Sequence, residues 1–110
     1  MQNITHQFKI VKQDERYVVE DNTHLKTMVI SKTTLKPEKQ TTGHSHEGQE
    51  EVYFFIKGKG VLETQDELIQ VTGGDVIAID DGDFHKVFNT SDTINLEFIC
   101  VFPGERYEHK

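Results

Sequence analysis

Cysteine and arginine are scarce in this chain of 110 residues, and long apolar runs are missing from it. The single cysteine, Cys100, cannot form an internal disulfide, which fits a reducing compartment. No apolar run approaches the roughly 20 residues that a membrane-spanning helix needs, and the N-terminal residues lack the apolar segment of a signal peptide. We therefore expect a cytoplasmic protein with no membrane partner. The length predicts a single domain, residues 1–110.

Positive charge is also sparse, because 12 basic residues face 19 acidic ones and the net charge is −7. Two of the basic residues are arginines, Arg16 and Arg106, and the others are lysines. Proteins bind the phosphate backbone through lysine and arginine, so an acidic chain is poorly suited to it. The composition therefore predicts no nucleic-acid partner.

Helical periodicity is missing as well, since no stretch of about 12 residues or more shows the apolar stripe of an amphipathic helix. Short runs rich in β-branched and aromatic residues are separated instead by clusters of typical turn residues. These runs predict strands at residues 6–13, 16–22, 24–36, 50–58, 60–65, 67–72, 75–80, 85–90 and 94–102. Many short strands at this spacing favour an all-β sandwich or a small barrel.

What the chain does have is a pair of histidines one residue apart, His44 and His46, just before a predicted strand. Alternate side chains of a strand share a face, so these two imidazoles are expected on one side. In the strand that follows, Glu51, Tyr53 and Phe55 also share a face. A carboxylate that leads a row of aromatics into a barrel is costly to bury unless it is paired. Two imidazoles and a metal cation would pair with it.

A third histidine, His85, begins a later predicted strand. If that strand lies beside the one that carries Glu51, His85 completes a set of three imidazoles and one carboxylate. Such a set suits one divalent transition metal per chain, namely Fe, Mn, Ni, Co, Cu or Zn, with positions left open for water or substrate. Glu50 is the rival for the carboxylate ligand, and we prefer Glu51 because it shares a face with Tyr53.

These residues belong to two spaced motifs. The first, at about residues 38–58, is formed by His44, His46, Glu51 and Gly58. The second, at about residues 74–89, is formed by Gly74, Gly82, His85 and Asn89. Both motifs resemble the signature motifs of the cupin family, and the spacing to Gly58 again selects Glu51 over Glu50. Glu38 and Asp80 stand where the family usually has glycine and proline, and both replacements fall in turns.

The resemblance implies a double-stranded β-helix, which is a jelly-roll barrel of two antiparallel sheets with a metal near one open end. It implies His44, His46, Glu51 and His85 as the metal ligands. Cupins include dioxygenases, decarboxylases, isomerases and ligand-sensing domains, so the fold does not fix the function.

Two functional hypotheses follow. The first is a small metalloenzyme acting on a small polar molecule, by isomerisation of a sugar or keto acid or by iron-dependent dioxygenation, with Glu51 and Tyr53 as candidate catalytic groups. The alternative is a non-catalytic module that binds or senses a small ligand. We favour the enzyme, because the compact domain carries no DNA-binding or second catalytic domain.

The remaining expectations concern packing. The outward strand face with Val52, Phe54 and Ile56 is too apolar for a solvated sheet, which predicts a homodimer. Cys100 is expected in the core, and Asn89 is expected to brace a turn rather than touch metal. Turns that need a positive φ are expected at the glycines Gly58, Gly60, Gly74 and Gly82.

Overall fold

Nine strands form within residues 1–45 and 47–104, which are the residues that this computed structural model describes. They are β1 (Lys9–Gln13), β2 (Tyr17–Asn22), β3 (Met28–Leu35), β4 (Glu51–Lys57), β5 (Lys59–Thr64), β6 (Leu68–Thr72), β7 (Val76–Ile79), β8 (His85–Asn89) and β9 (Leu96–Pro103). None of the described residues forms a helix with the length and hydrophobicity that a membrane crossing requires. The all-β prediction is confirmed.

The strands make two antiparallel sheets. The large sheet has six strands in the order β1-β2-β3-β9-β4-β7, and the small sheet has three in the order β6-β5-β8. Residues 39–44 extend the small sheet along the outer side of β8, through bridges that pair Gln40 with Phe88 and His44 with His85. This extension places His44 opposite His85.

The core lies between the two sheets and follows from side-chain alternation. On β9, every second residue from Leu96 to Phe102 is buried, and the residues between them are half-buried on the other face. The small sheet contributes Leu62 and Val87 from the opposite side. Each fully buried Leu or Phe stabilises the fold by roughly 1.5–3 kcal/mol relative to its exposure.

The nine predicted strands are the nine observed, but some of their ends differ. The largest difference is at β3, which begins at Met28 rather than at residue 24. The side-chain oxygen of Asn22 accepts a hydrogen bond from the backbone N–H of His24 at 3.1 Å. This turn, in which an Asn side chain mimics a backbone carbonyl, keeps the following residues out of the ladder.

Three of the four glycines expected in turns have the positive φ, which is 97° at Gly58, 99° at Gly74 and 79° at Gly82. The expectation was wrong for Gly60, which lies within β5. A Cβ placed there would lie 2.4 Å from the carbonyl oxygen of Phe88. Gly60 is therefore required by the close approach of β8.

Candidate metal centre

Three of the four predicted ligands converge, and of these Glu51 and His85 are buried whereas His44 is exposed. One ligand atom from each of His44, Glu51 and His85 lies within 4.8 Å of the other two. Glu51 is the first residue of β4 in the large sheet, and His85 is the first residue of β8 in the small sheet. The strand of His85 does not lie beside the strand of Glu51, as the sequence argument supposed, because the two strands belong to different sheets. His85 pairs with His44 instead, and Glu51 reaches both from across the barrel.

Hydrogen bonds to backbone carbonyls orient both imidazoles. Nδ1 of His85 lies 2.9 Å from the carbonyl oxygen of Asp83, and Nδ1 of His44 lies 3.2 Å from that of Thr42. A carbonyl oxygen accepts only, so Nδ1 of each ring is the protonated donor. In the neutral ring Nε2 then keeps its lone pair, which is the arrangement that metal-binding histidines use. The rings stand edge to face with centroids 4.3 Å apart.

The carboxylate of Glu51 is buried and close to these imidazoles. Its Oε2 lies 3.5 Å from Nε2 of His85, and it accepts a hydrogen bond from the thiol of Cys100 at 3.2 Å. Oε2 of Glu51 and Nε2 of His85 are close enough for a cation placed between them to bind both. Imidazole nitrogen with carboxylate oxygen is a donor set that first-row divalent metals accept. The residues present therefore fit the metal that the sequence predicts.

The other candidate residues are placed as follows. His46, the fourth predicted ligand, lies outside the described residues. Glu50 is exposed, whereas Glu51 is 5% exposed. Tyr53 is buried beside the centre, stacked on Phe98 at 5.5 Å and edge-on to His85 at 5.6 Å.

Asn89 braces a turn, as expected. Its side-chain amide donates to the carbonyl oxygens of Leu35 and Ile94, at 3.0 and 2.9 Å. Its side-chain oxygen accepts from the backbone N–H of Ser91 at 2.9 Å. All of these partners lie on backbone, so Asn89 ties the loop before β9 to the end of β3.

A cavity of about 360 Å³ adjoins the centre, and His44, Glu51 and Tyr53 form part of its wall. The rest of the wall is mixed, with apolar side chains from β2 and β9 and polar ones from several strands. The polar wall residues outside the centre are Lys12, Asp21, Ser31, Thr33, Thr41 and Thr42. This space is large enough for a small molecule to reach His44 and Glu51, the two converging ligands that line it.

Sequence reasoning missed two features of this site. It placed Cys100 in the core, where the residue is indeed buried, but gave no sign of its contact with Glu51. It also gave Asp21 no role, although this carboxylate is buried in the cavity wall. Alternation predicts which residues share a face of one strand, whereas these features depend on which strands are neighbours.

Comparison with known proteins agrees with this architecture. The family model described as "Cupin domain" matches residues 31–102. An oxalate-binding protein from Thermotoga maritima is 33% identical over 78 residues, which cover 71% of this chain and 64% of that protein. The match thus spans a little under two thirds of that relative.

Solved structures show the same fold at lower identity. The crystal structure of a predicted oxalate decarboxylase from Thermotoga maritima has a TM-score of 0.71 at 24% identity, covering 93% of this chain and 96% of that one. A protein from Klebsiella pneumoniae with a double-stranded β-helix domain has a TM-score of 0.77 at 12% identity, covering 94% and 88%. The predicted double-stranded β-helix is confirmed.

Proposed function

This chain belongs to the cupin family, and from that membership and the geometry of its centre we propose that it is a small metalloenzyme acting on a small polar molecule. Its ligands for one divalent transition metal are His44, His46, Glu51 and His85. The observation that carries this proposal is the convergence of His44, Glu51 and His85 within 4.8 Å, with His44 and Glu51 in the wall of a cavity.

The residues of the centre have distinct tasks in this proposal. A bound divalent metal supplies Lewis acidity that polarises a carbonyl or stabilises an enolate. The imidazoles hold it through Nε2, because hydrogen bonds to backbone carbonyls engage Nδ1 of His44 and His85. Glu51 adds negative charge to the centre and is the candidate base. Tyr53 lines the cavity beside it, where its hydroxyl can donate to a ligand oxygen.

The reaction classes that suit these tasks are isomerisation of a sugar or keto acid and, with iron, dioxygenation. The second candidate function is non-catalytic binding of a small ligand. It is favoured by one finding, namely that the relative from Thermotoga maritima, 33% identical, is an oxalate-binding protein. Turnover of a ligand by metal-loaded protein separates the two candidates, since a binding module returns its ligand unchanged.

Metal content of protein purified without an affinity tag tests the centre. We expect about one transition-metal ion per chain, and we expect His85→Ala and His46→Ala to lose most of it. His24→Ala is the matched control, because His24 is exposed and lies outside both motifs. Metal should also raise the melting temperature, since a ligand at 100 times its Kd adds about 2.7 kcal/mol to folding stability. Full occupancy in His85→Ala would show that the ligand set is misassigned.

We also propose that residues 1–110 form one cytoplasmic domain that assembles as a homodimer. The dimer proposal is supported by the outer face of the large sheet, where Val52, Phe54, Ile56 and Val76 are exposed. Fractionation of cells tests the location.

A further inference from the structure

We propose that Asp21 is a second recognition point of the cavity, and that the ligand of this site is a small polyhydroxylated molecule rather than a short dicarboxylate. The metal centre would hold one end of the ligand through two oxygens, and Asp21 would accept hydrogen bonds from hydroxyl groups at the other end. This inference rests on the proposed metal centre, because Asp21 would contact the end of the ligand that is not bound at that centre.

Register places Asp21 at the far end of a row that starts beside the centre. On the inner face of the large sheet, Tyr53 pairs with Cys100, Cys100 with Ser31, and Ser31 with Asp21. Neighbouring strands are about 4.8 Å apart, so the backbone of Asp21 lies roughly 10 Å from that of Cys100. The thiol of Cys100 touches Glu51, so this row connects the centre to Asp21 along one wall.

The length of this row bears on the size of the ligand. A two-carbon dicarboxylate that chelates a metal at the centre uses both of its carboxylates there. It would leave the part of the cavity near Asp21 unfilled. A chain of about six carbons, held at the centre by one end, extends along the row toward Asp21.

The charge of Asp21 determines which chemical group the ligand can place at the end away from the metal centre. Asp21 is 7% exposed and lines the cavity. Carboxylate oxygens accept hydrogen bonds from hydroxyl groups, whereas a second carboxylate brought close to them is repelled. Between Asp21 and the centre the wall carries the hydroxyls of Ser31 and Thr33, which can both donate to and accept from a polyol.

Lys12 is the residue of the cavity wall that would instead favour a ligand with an anionic group at the end away from the metal centre. Among the described residues that line the cavity it carries the only lysine or arginine side chain. It is exposed, with Nζ 5.3 Å from the centroid of the Tyr17 ring. Charges in contact with solvent interact weakly, because water and salt screen them, whereas Asp21 is buried. We therefore expect Asp21 rather than Lys12 to determine which ligands bind.

Gluconate and glucarate form a matched pair of probes. Both are six-carbon polyhydroxylated chains with an α-hydroxy carboxylate that can chelate a metal. They differ at the far end, where gluconate has a hydroxyl and glucarate a second carboxylate. In calorimetric titrations of metal-loaded protein we expect gluconate to bind about tenfold more tightly, which is the scale of one hydrogen bond to a charged group.

Two variants show whether Asp21 causes this preference. In Asp21→Asn the preference for gluconate should fall to within about twofold, because the repulsion of glucarate is removed. Glu20→Gln is the matched control, since it removes the same charge from the neighbouring position on the opposite face of β2, and it should keep the wild-type preference. Oxalate, if it binds, should bind equally well to wild type and Asp21→Asn.

The outcomes separate this inference from the proposed function. Equal affinity of wild type for gluconate and glucarate, or a preference that survives in Asp21→Asn, overturns the role of Asp21 while leaving the metal centre intact. Tighter binding of glucarate would assign the far end to Lys12. Protein that holds no metal overturns the proposed function and this inference together.

Discussion

Cys100 is the residue whose role changes most between sequence and structure. Its thiol donates to Oε2 of Glu51 at 3.2 Å, while Nε2 of His85 lies 3.5 Å from the same oxygen. A thiol is a weak donor, but here it acts on a buried carboxylate. Substitution of a group that orients a metal ligand typically lowers metal affinity or activity by about 10- to 100-fold. Cys100 is therefore a positioning residue for the proposed centre as well as part of the core.

Substitution of Cys100 tests this role. Cys100→Val keeps an apolar side chain in the core but removes the donor, so we expect metal affinity to fall by about tenfold. Cys100→Ser keeps a donor and should bind metal close to the wild-type level. Competition titrations against a chelator measure both affinities. Equal affinity of the Val variant and the wild type would leave Cys100 with a packing role alone.

At the scale of elements, the turn before residues 39–44 holds an unusual conformation. Glu38 has φ = 62°, which favours glycine and is otherwise found here only at glycines among residues 1–45 and 47–104. Its backbone N–H donates to the carbonyl oxygen of Ser91 at 3.0 Å, so the turn is tied to the loop before β9. The family motif usually has glycine here, and the geometry explains that preference.

Glu38→Gly should therefore stabilise the protein. The left-handed conformation destabilises an L-residue by about 1–2 kcal/mol, and glycine avoids this cost. Glycine also has a larger conformational entropy in the unfolded state, which lowers folding stability by roughly 0.5–1 kcal/mol. We expect a net gain of about 0.5 kcal/mol in the free energy of unfolding, measured with urea. Lys39→Gly is the control. Lys39 is the next residue and has no positive φ, so this variant should be less stable than the wild type. A loss of stability in both variants would mean that contacts of the Glu38 side chain offset the cost of its left-handed backbone conformation.

The turn between β1 and β2 is held by an ion pair between Asp14 and Arg16. Asp14 accepts from the backbone N–H of Arg16 at 2.7 Å and from its Nη2 at 2.9 Å, and these bonds hold the pKa of the Asp14 carboxyl at about 2. Nη1 of Arg16 also donates to the hydroxyl of Thr42 at 3.1 Å, which links the hairpin to the segment that carries His44.

The pH dependence of this ion pair has a definite sign. The Asp14 pKa is lowered from its ordinary value of 3.8, so its contribution to stability is present above about pH 3.8 and is lost as pH falls through about 2. The destabilisation caused by Asp14→Asn should be small at neutral pH and should shrink over that window. NMR titration of the Asp14 carboxyl measures the pKa directly. Arg16→Gln should return it toward 3.8, and an unchanged value would assign the shift to another group.

These elements show what sequence can predict. Alternation placed Glu51, Tyr53 and Phe55 on the inner face of β4, and all three are buried. It could not predict that β3 pairs with β9 along its whole length, since that pairing joins residues far apart in sequence. Asp21 and Cys100 lie on one wall only through that pairing. The same limit explains why the sequence could offer the pairing of β8 with β4 only as a condition for the site.

At the scale of the whole molecule, the proposed centre lies between the two sheets. His85 comes from the small sheet, His44 from its extension and Glu51 from the large sheet. A metal bound there would connect both sheets, which is the physical reason to expect it to stabilise the entire barrel. The outer face of β9, β4 and β7, in contrast, takes no part in the proposed centre and carries exposed apolar side chains on β4 and β7.

That outer face is continuous across three strands. Phe54 pairs with Ile99 on one side and Val76 on the other, and Val52 pairs with Val101 and Ala78. Phe54 is 44% exposed and Val76 63% exposed. A stable interface buries about 800 Å² per partner, a modest share of the 7032 Å² that this chain exposes. Two copies packed sheet on sheet about a two-fold axis would cover this face in both copies at once.

A charge at the centre of the face should therefore dissociate the dimer. In sedimentation at micromolar concentration we expect wild type to be dimeric and Phe54→Lys to be monomeric, because a buried pair of lysines related by the two-fold axis would repel. Leu68→Lys is the matched control, since Leu68 is 70% exposed but lies on β6 of the other sheet, and it should remain dimeric. Phe54→Lys should also keep its metal, because Phe54 faces away from the barrel interior. A monomeric wild type would contradict the dimer, and dissociation by Leu68→Lys but not by Phe54→Lys would place the interface on the small sheet.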